Sequence, residues 1–396
     1  MNKKFIKNTT IDDKIVFIRN DFNVPLYDNG DIADDTKIKK SLKTINYAME
    51  RNAKIICASH LGRPEGKREE KLSLRPIAER LSILLGKKVI FNGQNSGESI
   101  DEIKRTMKNG DILLLENLRF DPREKSNSAD FAKELAKDIN IYVNDAFASS
   151  HRKHASIEEI TNQVPISVMG FLLKKEIEFL KLALENPPEK FTIILGGSKV
   201  SDKIGVVENL TDKANSILIG GAMAYTFLKS MGENVGGSRT EDEYLDVCKN
   251  ILESASKKGV KIILPVDHIA ATKIERNVTI RMIKPGESIP EEMMGLDIGF
   301  ETVDIFRKAI LKSQMIFWNG PMGIFEVETF SGGTTAIAEA IAESPAISIA
   351  GGGDTISAIN RTGVENSISH ISTGGGASLK FLSGMPLPGI ESLMDD

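Results

Sequence analysis

The sequence holds only two cysteines in 396 residues, Cys57 and Cys248, far apart and without a CxxC or Cys/His ligand spacing. That argues against a disulfide framework and a thiolate zinc site, and it fits a reducing cytoplasm. No run approaches the ~18 apolar residues that a membrane-spanning helix needs, and the opening MNKKFIKNTT lacks an apolar signal core. A membrane association is not expected. Nor is there a basic excess: 51 Lys+Arg stand against 55 Asp+Glu, a net charge of −4, so no overall field recruits nucleic acid. Any anion site must be local. Also missing are GxxxxGKS/T, GxGxxG after a strand, HExxH and GxSxG. The P-loop, dinucleotide, zinc-protease and serine-hydrolase readings therefore lose support.

What is present is long and unevenly distributed. A chain of 396 residues exceeds one ordinary hydrophobic core and points to two domains, with function sought between them. Of 33 glycines, 25 lie after Gly170; of 15 arginines, 10 lie at or before Arg152. The first half is equipped to grip fixed anions with guanidinium forks, the second to bring bare backbone close to a ligand.

Short apolar runs alternate with helix-period segments, the pattern of parallel sheets with crossover helices. In the first half the runs KIVFIR, AKIICAS, KVIF, DILLLEN and IYVND mostly end in polar chemistry. Arg19, Asp21 and Asn23 follow the first, His60 and Arg63 the second, Glu116, Asn117 and Arg119 close the fourth, and Asp145, His151 and Arg152 follow the fifth. Ligands of open parallel sheets bind beyond the carboxyl ends of the strands, so these residues are expected along one edge. In the second half FTIILGG, NSILIGG, MIFWNGPMG, AISIAGGG and ISHISTGGG end in glycine, while KIILPVD does not. Repeated strand–glycine–helix junctions suit a polyphosphate. The helix-period segment 172–188 is the expected connector.

The stretch ILGGSKVSDKIG, residues 194–205, sets Lys199 and Lys203 four apart in what the pattern predicts to be the first turns of a helix, where the dipole disfavours cations. A bound phosphate resolves the conflict; a solvated helix face is the alternative. GGGDT and STGGGAS both follow apolar runs, and Asp354 suits either Mg²⁺ or a helix cap. His60 and His151 lie near arginines and favour an anion pocket, whereas His154 reads equally as site or core. His268, His370 and the single tryptophan, Trp318, read as packing.

Together, RNDFNVP, SHLGRP, LLLENLRF, NDAFASSHR, ILGGSKVSDKIG, GGAMAYTFL, FWNGPMGIFE, GGGDT and STGGGASLKFLSG closely resemble the phosphoglycerate kinase family, in family order from Arg19 to Gly384. The resemblance implies an α/β chain of two doubly wound, Rossmann-like parallel-sheet domains joined by a helix, with the active site in the interdomain cleft. Residues 1–171 with the tail 385–396 would bind phosphoglycerate, 172–188 would form the helix, and 189–384 would bind nucleotide. It also implies reversible phosphoryl transfer between 1,3-bisphosphoglycerate and MgADP, giving 3-phosphoglycerate and MgATP, by a cytoplasmic, hinge-bending monomer. Carried over by residue, the phosphoglycerate pocket falls on Asp21, Asn23, His60, Arg63, Arg119 and Arg152. Gly196, Gly197, Gly220 and Gly221 would surround the adenine, with Asn319 and Glu326 at the ribose and phosphates. Lys199 would meet the polyphosphate together with Gly353 and Thr355, and Asp354 the Mg²⁺. Lys203 and the N–H groups of Gly374, Gly375 and Gly376 would stabilise the group in flight.

Two departures from the family pattern stand out. Lys37 occupies the place of a family arginine that reaches the transferring phosphoryl group, and LSGM replaces LEGK, putting Ser383 and Met385 near the expected hinge. A lysine in that place would keep the charge and lose the planar fork.

Overall fold

A computed structural model describes residues 2–396. The chain divides into two compact units, Met1–Glu178 with Pro386–Asp396, and Phe179–Met385.

The first unit is built on six parallel strands: β1 (Ile15–Arg19), β2 (Lys54–Ala58), β3 (Val89–Ile90), β4 (Ile112–Leu114), β5 (Ile141–Asn144) and β6 (Ile166–Met169). Their order is β3-β4-β2-β1-β5-β6. The second unit repeats the arrangement with β7 (Phe191–Leu195), β8 (Ser216–Ile219), β9 (Lys261–Ile263), and, after an insertion, β13 (Met315–Asn319), β14 (Ile347–Gly351) and β15 (His370–Ser372), ordered β15-β14-β13-β7-β8-β9. Strands β5, β7 and β13 are buried at every position, which is why their sequences are continuous apolar runs rather than alternating ones. Trp318 lies wholly inside the second core, its indole N–H donating to the Gly320 carbonyl at 2.9 Å.

Strand order reverses in both sheets. β1 lies between β2 and β5, and β7 between β8 and β13. Such a switch point opens a crevice at the carboxyl ends of the strands, so the residues after β1, β2 and β5, and after β7 and β13, are the ones placed for ligands.

The sequence pattern misses two features. β6 is a short run behind Pro165, and the insertion forms a separate antiparallel sheet of β10 (His268–Ala271), β11 (Arg281–Ile283) and β12 (Met294–Ile298), ordered β11-β10-β12. The expected connector helix spans Phe171–Glu185, ending short of residue 188, because Pro187 disfavours helical geometry in the residue before it. The C-terminal segment completes the first unit: Leu387, Ile390 and Leu393 are buried, and Lys3 Nζ donates to the carbonyls of Glu391 and Leu393 at 2.9 and 2.8 Å.

Asp145, after β5, anchors the start of the Phe171–Glu185 helix. Its Oδ1 accepts the N–H groups of Leu172 and Leu173 at 2.8 and 3.2 Å, while Oδ2 is buried without a partner among the described residues. Burial raises its pKa to about 6, against the opposing pull of Thr44 and the two N–H groups. The folded chain therefore binds this proton more tightly than the unfolded chain, whose value is 3.8. The resulting stability is present below that value and is lost as pH rises through about 6. Asp145→Asn keeps the Oδ1 acceptor and removes the ionisation. We expect its unfolding free energy, relative to the parent, to rise between pH 4 and 6 and then level off, by about 3 kcal/mol at most; a pH-independent difference would contradict this assignment.

Candidate active site

The first unit gathers cations where its strand order reverses. Arg19 ends β1, Asp21 and Asn23 occupy the following turn, and His60 follows β2. Arg119 lies in the helical turn Leu118–Phe120 after β4, Arg152 follows β5, and Lys37 enters from the first turn of the helix Thr36–Glu50. Lys37 Nζ donates to Asp21 Oδ2 at 2.8 Å. Asp21 Oδ1 accepts the Asn23 N–H at 3.2 Å, and Asn23 Oδ1 accepts the Gly62 N–H at 2.9 Å, so the turns after β1 and β2 are tied together. Arg119 Nη1 donates to the Gly62 carbonyl at 2.7 Å, whereas its Nε and Nη2 are buried with no partner among the described residues. Arg63 is exposed, yet close enough to lower the pKa of Arg152.

These charges work against one another. Burial lowers the pKa of Arg119 to about 10, with Arg152 and Arg19 adding to the shift. Burial and then Arg63 lower that of Arg152. His60 is pushed well below the usual imidazole range by burial, then by Arg19, Arg119, Lys37 and Arg152. His154 is lowered to about 3 by burial and then by Arg19, Arg119, Arg152 and His151, and lies 3.7 Å from Glu124. Repelling cations with idle buried donors form a seat for a small polyanion.

In the second unit, recognition falls to backbone. Gly196 and Gly197 donate to the carbonyls of Asn319 and Pro321 at 3.0 and 2.9 Å, and Gly221 donates to that of Met322 at 2.9 Å. A Cβ at Gly196 would lie 2.0 Å from the Pro321 oxygen, and one at Gly221, where φ is +64°, 2.4 Å from the Gly197 nitrogen. Side chains are excluded from these junctions. Gly197 and Gly221 face outward, while Gly196 and Gly220 are buried behind them.

Two hollows adjoin this wall. One, of about 440 Å³, is lined by Gly197, Lys199, Asp202, Lys203, Asn319, Gly353, Asp354, Thr355, Gly376 and Lys380, among others. The other, of about 350 Å³, is lined by Gly197, Gly221, Tyr225, Met294, Leu296, Met322, Ile324 and Glu326, among others. Both contain Gly197, Ser198, Pro321 and Asp354, so a ligand with an apolar end and an anionic end could span them. Asn319 Nδ2 is committed to the Gly351 carbonyl at 2.7 Å, and Thr355 Oγ1 accepts the Gly320 N–H at 2.7 Å. Asp354 is exposed in the first turn of the helix Gly353–Thr362, whose N-cap is Gly352 and which has no side-chain cap. Of the three consecutive glycines, Gly374 donates to Ser372 Oγ at 3.1 Å, Gly375 takes φ +49° as the N-cap of the helix Gly376–Leu382, and Gly376 reaches the hollow.

The expected helical placement of Lys199 and Lys203 is corrected. The helix begins at Ile204; Lys203 is its N-cap and Lys199 precedes it on a loop. The delay has a tertiary cause, since the N–H and Oγ of Ser201 both donate to Glu241, at 3.0 and 2.7 Å, and hold the segment in a turn. Lys199 is exposed. Lys203 is buried, with Nζ donating to the carbonyls of Gly196 at 2.5 Å and Asn319 at 2.8 Å. Burial lowers its pKa to about 8, opposed by Asp354 and Asp202.

Site-lining or supporting residues absent from the sequence-based assignments include Glu124, Ser156 and Lys380, while Arg19 is placed on the ligand edge by the sequence but given no role. Lys380 lies in the STGGGASLKFLSG stretch; Glu124 and Ser156 carry no local signal.

A cation seat in one unit and a divided apolar and polar site in the other define a kinase of small anionic metabolites. The phosphoglycerate kinase family model matches residues 6–385. The chain is 51% identical over 401 residues to a phosphoglycerate kinase of Koribacter versatilis, covering 99% of each chain. It is 52% identical over 396 residues to that of Thermosipho africanus, covering 99% of this chain and 98% of the relative. A solved phosphoglycerate kinase structure from Coxiella burnetii superposes with a TM-score of 0.89 at 39% identity, over 98% of both chains. The chain belongs to the phosphoglycerate kinase family, phosphotransferases with a carboxyl group as acceptor.

The Lys203 environment gives a direct test. Without ligand its ammonium should titrate near 8 in lysine ¹³Cε NMR, with the signal assigned by Lys203→Arg. A bound polyphosphate favours the charged form, so saturating ATP should raise that value by at least about one unit. No upward movement would remove Lys203 from the phosphate site.

Proposed function

We propose that the chain transfers a phosphoryl group reversibly between the acyl phosphate of 1,3-bisphosphoglycerate and MgADP, giving 3-phosphoglycerate and MgATP. The observation that carries this reading is the excess of buried and half-buried cations around His60, with two Arg119 nitrogens idle. His60, Arg63, Arg119 and Arg152 hold the phosphate that is not transferred. Asp21 and Asn23 receive the hydroxyl and carboxyl end, and Lys37 reaches toward the transferring group.

On the nucleotide side, Gly197 and Gly221 form the adenine wall, with Gly196 and Gly220 allowing the close packing behind it. Asn319 and Glu326 flank the ribose and phosphates, and Lys199, Gly353 and Thr355 meet the polyphosphate. Lys203 uses two of its three N–H donors on carbonyls and keeps one for the group in flight. Because Gly374 is committed to Ser372, that role among the glycines falls to Gly375 and Gly376. Among the described residues no cluster of three His, Cys, Asp or Glu could hold a metal alone. Asp354 beside a polyphosphate hollow nevertheless fits Mg²⁺, which takes one or two carboxylates and completes its shell with phosphate and water. The ion would offset the polyphosphate charge.

No side-chain nucleophile is needed. Phosphoryl transfer depends on alignment, exclusion of water and charge stabilisation. The two ligands are assigned to separate units, so transfer requires closure of a hinge. We further propose a cytoplasmic monomer; among the described residues no helix is long and apolar enough to cross a membrane.

A coupled assay with 3-phosphoglycerate and MgATP tests the reading, and absence of turnover would favour a homologue retained for binding alone. In the same assay, Lys37→Arg should raise kcat about threefold or more, because the guanidinium can bond Asp21 and a phosphoryl oxygen with separate N–H groups. Lys37→Ala should lower kcat at least about 10²-fold. An alanine variant as fast as the parent would reduce Lys37 to a partner of Asp21. Asp354→Asn should raise the Mg²⁺ concentration needed for half-maximal rate by about tenfold or more; an unchanged requirement would deny it the metal.

A further inference from the structure

We propose that Arg19 is a positioning residue that holds His60 as a neutral imidazole with its proton on Nε2, making this histidine a hydrogen-bond donor to the anionic substrate; the ligand part rests on the phosphoglycerate reading above. Arg19 is fully buried. Its Nε donates to Ser156 Oγ at 2.8 Å, Nη1 donates to the Asn20 carbonyl, and Nη2 lies 3.3 Å from His60 Nδ1. A guanidinium has donors and no acceptor, so Nδ1 can take part in this contact only through its lone pair. In a neutral ring the proton is then on Nε2. An imidazolium would set one N–H against another.

The other end of the network fixes the same direction. Ser156 Oγ accepts from Arg19, so its hydrogen points to Glu124 Oε1 at 2.7 Å, and Glu124 Oε2 accepts the Ser156 N–H at 3.0 Å. Glu124 and Ser156 are fully buried, and the chain of donors runs from Arg19 outward at both ends. The charged groups that bear on His60 are Arg19, Arg119, Lys37 and Arg152, every one a cation opposing a second charge on the ring. Asp21, the nearby carboxylate, is ion-paired with Lys37. His60 Nε2 has no hydrogen-bond partner among the described residues and is left for a ligand. A histidine among phosphate-binding arginines thus serves as a shaped donor rather than as another positive charge.

Two-bond ¹⁵N–¹H correlation on the full chain labelled with ¹⁵N-histidine reads the tautomer directly, with His60 assigned by loss of its signal in His60→Gln. The parent without ligand should show the Nε2–H form from pH 8 to pH 5.5. An Nδ1–H form, or an imidazolium at pH 7, would overturn the proposal whatever happens to any variant. Arg19→Met should mix the tautomers and raise the pH at which the ring protonates, while burial and the remaining cations still hold it below the ordinary imidazole range, with KM for 3-phosphoglycerate rising about tenfold and kcat changing less than about threefold. Arg19→Lys, still a donor only, should keep the tautomer. Retention of a pure Nε2–H form in Arg19→Met would show that Arg19 does not set it. Saturating 3-phosphoglycerate should move the Nε2 resonance; an unmoved resonance with the tautomer intact would overturn the substrate assignment while upholding the action of Arg19.

Discussion

Repulsion among cations is the constraint on which the first unit turns. Arg19, Arg119, Arg152 and Lys37 surround one imidazole, with Asp21 and the deeper Glu124 as the carboxylates nearest to them. Neutral partners do much of the holding: the Gly62 carbonyl for Arg119, the Asn20 carbonyl and Ser156 for Arg19. A guanidinium anchored by carbonyls keeps its charge available, whereas one saturated by carboxylates does not. Such a pocket is less comfortable empty than filled, and selectivity for a compact polyanion follows from that imbalance.

The second unit solves a different problem. A nucleotide presents a flat base and an extended chain of phosphates, and close backbone suits both. At Gly196 and Gly221 the turns after β7 and β8 lie against the segment after β13 so tightly that no Cβ can enter. Lys203 is held by carbonyls at that same junction, which joins the position of a charge to the geometry of the wall. The strand-order reversal in each sheet places these groups, so one architectural rule serves an arginine-rich and a glycine-rich site.

Much of this was legible in the sequence because buried parallel strands are written as apolar runs and the polar residues follow them. β1, β2, β4, β5, β7 and β13 can be read in that way, together with Asp21, His60, Arg119 and Arg152 after the first four. The β10–β12 sheet was hidden because its strands are short and partly exposed, leaving no continuous apolar signal. Lys199 and Lys203 were set on a helix since spacing cannot reveal Glu241, some 40 residues onward, pinning Ser201 in a turn. The Glu124–Ser156–Arg19 network was invisible for the same reason, being made by tertiary contact between residues of no distinctive local pattern.

The pairing of residues 2–4 with 394–396 has a consequence for the order of synthesis. Lys4 donates its N–H to the Met394 carbonyl, Asp396 donates to that of Asn2, and Asn144 Nδ2 reaches the Gly389 carbonyl at 2.7 Å. Residues Phe179–Met385 therefore emerge from the ribosome between the bulk of the first unit and its last segment. The unit made first is the one finished last. Until Leu387, Ile390 and Leu393 arrive, the apolar surface they cover stays open, so the first unit cannot close its core before the whole of the second has been made.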